Sequence, residues 1–201
     1  TLSDTLSLHD ALPIFCERLA HLGARALVMD VGVLGRGGVT PDITNEQVAT
    51  AAGVTLQQVI DSGDENTAMT LMAQGASLVA MQLHAQRRFD GLLALGGTMG
   101  TDLALDVANA LPLGVPKVVL STIAYSHLIP ADRVPPDLMM RLWAGGLYGL
   151  NRLCRSALSQ AAGAVVGAVR ARSVDDDPRP VVGMTRSEEH TSELQSPLNI
   201  S

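Results

Sequence analysis

An α/β fold built on a parallel sheet follows from three features of the chain. Apolar runs at residues 26–31, 92–95 and 116–122 have the length of strands, and the first two lack the alternation of a half-solvated sheet. Stretches with helical periodicity separate the runs. Glycine-rich turns follow the first two runs at once. Strands alternating with helices give a parallel sheet covered on both faces. In such a sheet, ligands sit outside the carboxyl ends of the strands, here after Val31, Leu95 and Leu120.

The elements read as follows. Residues 15–23 look like the end of a helix closed by Gly23. Residues 26–31 (ALVMDV) read as a buried strand, and residues 32–41 as a glycine-rich loop. Thr44 with Gln47 makes a capping box that opens a helix through Ala52. Residues 55–61 add one or two helical turns, and residues 66–88 form a long helix carrying Met69, Met72, Ala76 and Val79. After the strand at 92–95 comes Gly96-Gly97-Thr98-Met99-Gly100-Thr101, then a helix through Ala110. Residues 116–122 are a third strand and 124–136 are irregular. Residues 147–172 make an alanine-rich helix, 173–180 a linker with three aspartates, and 180–184 a further strand.

The two ends read differently. Residues 5–14 (TLSLHDALPI) and 186–196 (RSEEHTSELQS) have codon spellings that resemble the two common short-read sequencing adaptors. Residues 1–14 and 186–201 are therefore expected to be non-native tails and are set aside from fold reasoning. The body, residues 15–185, is the size of one domain. Setting aside Asp4, Asp10, Glu188, Glu189, Glu193 and Arg186 moves the formal charge from −6 to −2. A near-neutral body has no electrostatic footprint for nucleic acid and no polybasic patch for a membrane. Cys16 and Cys154 have neither metal nor redox spacing and read as small hydrophobes. No apolar run reaches membrane-spanning length, so the expected location is cytoplasmic.

The 96–101 turn is the leading site candidate. Glycines let backbone approach a ligand, and a helix start offers unpaired N–H groups and partial positive charge to phosphate. Thr98 and Thr101 add hydroxyls. The turn is neither a Walker A loop nor a G-x-G-x-x-G fingerprint, and Asp102 repels an anion there. The other reading is a tight turn with Thr101 as the helix N-cap. Asp30 ends the first strand, where a carboxylate binds a ribose hydroxyl or caps its own loop. Ser121 and Thr122 line the same crevice or satisfy nearby backbone groups. His21 and His84 read as structural, His127 as a loop histidine, and Trp143 as packing. No metal-ligand set is expected, and no G-x-S-x-G elbow exists.

Several segments together resemble one family. They are residues 29–35 (MDVGVLG) with 41–43 (PDI); 96–101 (GGTMGT) with 111–117 (LPLGVPK) and 120–122 (LST); and 137–140 (DLMM), 149–152 (GLNR) and 161–164 (AAGA). Their order and spacing resemble the uncharacterised protein family numbered 0261, the Tm-one-like ATP-binding domain, over residues 15–185. The resemblance implies a Rossmann-like parallel sheet with flanking helices, the truncated first lobe of a two-lobed domain. Residues 15–174 would be that lobe, and 175–185 the linker and first strand of a missing second lobe. It also implies ATP as cofactor, with or without magnesium. On that reading phosphate rests on Gly96, Gly97, Thr98, Gly100 and Thr101, with Asp30, Ser121 and Thr122 near ribose or base. The expected partners are nucleotide, the second lobe and, as an open alternative, a second copy in a homodimer. Two rival functions remain open: a transferase or epimerase acting on a nucleotide-linked substrate, and a nucleotide-stabilised interaction module.

Overall fold

The structure, a computed structural model, describes residues 8–33, 38–143 and 151–172. Residues 1–7, part of the 32–41 loop, the start of the helix expected at 147, the linker, the strand at 180–184 and the 186–201 tail lie outside the described residues. In chain order the elements are α1 (Leu8–His21), α2 (Asn45–Ala51), α3 (Leu56–Asp61), α4 (Glu65–Ala85), β1 (Leu92–Gly96), α5 (Thr98–Ala110), β2 (Lys117–Ser121), β3 (Leu138–Leu142) and α6 (Arg152–Ala171). A 3₁₀ turn at Ala131–Arg133 precedes β3.

The architecture is a three-stranded parallel sheet in the order β1-β2-β3, with helices on both faces. Alternation along β2 turns alternate side chains to opposite faces of the sheet. Val118 and Leu120 point to one face, where they meet Phe15 of α1, Trp143, and Leu158, Ala162 and Val165 of α6. The other face is covered by α4 and α5, with α2 packed on α4. There Val48, Met72, Ala76, Leu103, Val107 and Val115 form the second core. α2 sits so close to α4 that a Cβ on Gly75 would lie 2.0 Å from the Val48 carbonyl oxygen. Local chemistry sets the helix starts. Thr44 and Gln47 form the expected capping box at α2, Thr55 and Gln58 form another at α3, and Asp64 caps α4.

Four expectations need correction or extension. Residues 26–31 are not a sheet strand: they make one isolated parallel bridge, Met29 to Ile43. The Val28 carbonyl accepts from Asp42 and Ile43 N–H, Asp30 N–H donates to Ile43, and no ladder continues. An apolar run becomes a strand only with a neighbour to pair with, and these residues stay half-buried. β3 has no sequence signal, because Leu-Met-Met-Arg-Leu carries no β-branched residue, and none of its residues is fully buried. α6 starts at Arg152 under an Asn151 cap, later than the periodicity suggests. α1 starts at Leu8, inside the segment read as a tail, and Ala11 and Ile14 are buried against the α6 face.

Among the described strands, β1 lies at an edge of the sheet. Its residues Leu92, Leu93, Ala94 and Leu95 are only half-buried, whereas all of β2 is buried. An apolar edge with unpaired N–H and C=O groups recruits other chains. We predict that this 201-residue chain associates at micromolar concentration, read by size-exclusion chromatography with light scattering. A monodisperse monomer with a cooperative, reversible melt would contradict this.

At the opposite end of β2 lies a buried ion pair. Lys117 is fully buried, and its Nζ donates to Asp137 Oδ2 at 2.6 Å and to the Pro112 carbonyl at 2.9 Å. The Gly114 N–H donates to the same carboxylate oxygen. Burial pushes the Asp137 carboxyl up, but the Lys117 and Gly114 hydrogen bonds and the Lys117 charge together hold it below its ordinary value. A depressed carboxylate stabilises the fold above its unfolded pKa and loses that contribution as pH falls through the folded value. Stability should therefore drop below about pH 4. Asp137→Ala should cost about 3 kcal/mol, the low end for breaking a buried pair because Asp137 is 23% exposed. Urea melts at several pH values check both, and the variant's acid limb should be flatter.

Candidate functional site

The strand-to-helix junction after β1 brings most of the expected site residues together. Gly96 pairs in register with Ser121 of β2, and the Thr122 N–H donates to the Gly96 carbonyl at 3.1 Å. Gly97 is the N-cap of α5 and offers no side-chain cap. The first intrahelical bond runs from Thr101 N–H to the Gly97 carbonyl, 2.8 Å. The amides of Thr98, Met99 and Gly100 therefore have no intrahelical acceptor. This overturns the reading in which Thr101 caps the helix. Thr101 lies in the first turn, fully buried, with its hydroxyl turned inward.

A hydrogen-bond chain holds that turn. The Ile123 N–H donates to Ser121 Oγ at 3.1 Å. The Ser121 and Thr101 hydroxyls are 2.7 Å apart, and Thr101 Oγ1 donates to the Gly96 carbonyl at 3.3 Å. With that direction set, Ser121 donates to Thr101. Both side chains have no exposed surface.

The glycines differ in role. A Cβ on Gly96 would stand 2.4 Å from the Gly100 carbonyl carbon and 2.5 Å from the Thr101 nitrogen, so only glycine lets strand and helix meet there. Gly97 and Gly100 have room: a Cβ would meet nothing nearer than 3.9 Å and 3.8 Å. Packing does not demand glycine at these two positions.

Asp30 stands apart in its bonding. Its Oδ1 accepts the Gly32 N–H at 2.9 Å, the loop-capping arrangement. His21 Nδ1 bonds the Glu17 carbonyl one turn back, His84 meets the Phe89 ring at a 59° tilt, and His127 is an exposed loop residue. Cys154 and Trp143 are buried in the α6-side core, and Cys16 is half-buried.

Beside the α5 start lies a cleft of about 250 Å³. Its walls come from α4 (Asn66, Met69, Thr70), from α5 (Thr98, Met99, Asp102, Asp106) and from the segment after β2 (Ile123, Leu128, Ile129). The α4 residues and the apolar wall were not singled out from the sequence, because nothing local reveals which helix faces the turn. Arg133 is the other surprise. Its Nη2 lies 2.9 Å from Asp102 Oδ1 and 2.9 Å from Asp106 Oδ1. The Asp102 charge, expected to repel an anion, is thus offset by a guanidinium. Burial raises the Asp106 carboxyl above its ordinary value; Arg133 opposes this and the Asp102 charge adds to it.

The three amides at the α5 start suit one phosphate group. The cleft volume is just below the usual range for small-molecule pockets, roughly 300–1,000 Å³.

Comparison with known proteins fixes the lineage. The profile for the N-terminal domain of the uncharacterised protein family UPF0261 matches residues 10–174. The chain belongs to that family. A UPF0261 protein of Brucella suis is 52% identical over 176 residues, covering 88% of this chain and 42% of that protein. One from Clostridium tetani is 31% identical over 81% of this chain and 40% of its own length. The ToMV susceptible protein tm-1(GCR26) of tomato is 29% identical over 105 residues, 52% of this chain and 14% of that protein. The chain thus spans less than half the length of the UPF0261 relatives it matches. Among the described residues, no helix is long and apolar enough to cross a membrane.

The inward Thr101 hydroxyl makes a prediction for this UPF0261 domain. Thr101→Val leaves Ser121 and the Gly96 carbonyl short of a buried partner and should cost about 1–3 kcal/mol. Chemical denaturation measures it. An unchanged midpoint would contradict the bonded chain described above.

Proposed function

We propose that this UPF0261 domain is a nucleotide-binding lobe that holds phosphate on the start of α5. The observation that carries the reading is the uncapped first turn of a 13-residue helix, placed at the carboxyl end of a parallel strand and beside a cleft. Its free amides and helix dipole favour an anion. Gly97 and Gly100 keep the approach open without being needed for packing. In this reading Gly97, Thr98, Gly100 and Thr122 face the ligand. Gly96, Thr101 and Ser121 hold the turn in shape. Asp30 keeps its loop-capping bond, and a ribose contact from it would require that bond to break.

ATP is the proposed ligand, on the strength of the turn, the cleft and the resemblance of the motifs. Magnesium, if it accompanies the nucleotide, would be bound mainly through the phosphates and water. The remainder of a full-length protein would supply the walls that this cleft lacks. Whether binding leads to turnover or to partner recognition is a property of the whole protein.

Calorimetry with Mg-ATP on the full-length protein tests the reading. Gly97→Val puts a branched side chain over the three amides where space is open, so the fold should survive while affinity falls at least about tenfold. Unchanged affinity in that folded variant would remove the turn from the site.

A further inference from the structure

The connection from β2 to β3 forms one wall of the cleft, through Ile123, Leu128 and Ile129. Most of its own bonds are local: Ser126 N–H to the Ile123 carbonyl and Ile129 N–H to the Ser126 carbonyl. Tyr125 ties it to β3 through the Met140 carbonyl. Its polar ties to α5 come from two residues. Arg133 Nη2 reaches the Asp102 carbonyl at 3.3 Å and the Asp102 and Asp106 carboxylates at 2.9 Å each. Asn109 Nδ2 donates to the Arg133 carbonyl at 2.7 Å and to the Leu105 carbonyl at 3.0 Å. The 3₁₀ turn is therefore fastened by its side chain and by its backbone to successive turns of one helix.

Arg133 itself is not among the residues lining the cleft. Its carboxylate partners are, and so is the wall that its turn terminates. We propose that Arg133 and Asn109 are positioning residues that clamp the β2–β3 connection against α5 and so shape the cleft for the non-phosphate part of a nucleotide. This rests on the nucleotide reading above. The cleft offers that part an apolar lining that includes Met69, Met99 and Ile129, together with the polar Thr70 and Asp106. A flat base fits such a lining, while the amides at the α5 start see only phosphate. The clamp thus sets discrimination between a nucleotide and bare polyphosphate.

A geometry role of this kind separates from a merely structural one by comparing two ligands. ATP and inorganic tripolyphosphate are titrated by calorimetry into the full-length protein and its Arg133→Ala, Arg133→Lys and Asn109→Ala variants. Arg133→Ala should weaken ATP about tenfold and leave tripolyphosphate within about twofold of wild type. Arg133→Lys keeps the charge but not the fork, and should recover part of the loss. Asn109→Ala should fall between. Hydrogen exchange across residues 123–130 should quicken in Arg133→Ala, which reads the clamp directly even if ligand affinity is low. If wild type binds ATP and the ATP-to-tripolyphosphate ratio is unchanged in Arg133→Ala, the clamp is wrong and the nucleotide reading stands. If wild type binds neither ligand, both fall.

Discussion

Everything at the carboxyl end of the sheet hangs on how closely β1 can run into α5. The backbone of Gly96 lies where a Cβ would stand inside the Gly100–Thr101 peptide. That contact is possible only because the junction residue has no side chain, and the Thr101–Ser121 hydroxyl pair then locks it. The pair is buried, so an alternative geometry would leave hydroxyls unpaired in a low-dielectric interior. One constraint therefore fixes three things: the direction of α5, the register of β1 against β2, and the outward aim of the amides of Thr98, Met99 and Gly100. The phosphate proposal is a consequence of that aim.

The sheet around the junction is asymmetric. β2 is buried throughout and paired on both edges, and its Val118 and Leu120 belong to the α6-side core. β1 has a neighbour on one edge alone among the described strands. The run at 26–31, expected as a buried strand, instead meets residue 43 in a single bridge. The same apolar side chains, Met29 and Val31, still pack on the α4–α5 core. Burial without pairing is what an apolar segment does when its backbone partner is not in reach. It explains why composition marked the segment and hydrogen bonding did not follow.

Local signals were legible and non-local ones were not. Thr44 and Gln47 lie three residues apart, so their capping box could be read directly. The glycine turn and the helix after it could be placed for the same reason. β3 depends on register with a strand about twenty residues earlier, and its own residues are weak strand formers. The site divides in the same way. Gly97, Thr98 and Gly100 could be proposed from the sequence because the turn is contiguous. Arg133 pairs with Asp102 across 31 positions, and the α4 wall lies about thirty residues before the turn it faces. Thr101 and Ser121 bond each other and nearby backbone, because polar side chains at strand ends serve the backbone as readily as a ligand.

The central claim is that three particular amides receive an anion. Amide proton and nitrogen shifts of Thr98, Met99 and Gly100, followed by NMR during an ATP titration of the full-length protein, test it most directly. The account predicts that all three move together, saturably and with one Kd, and that Gly97→Val abolishes the movement. Saturable binding that shifts other amides while these three stay still would place the nucleotide elsewhere and contradict it.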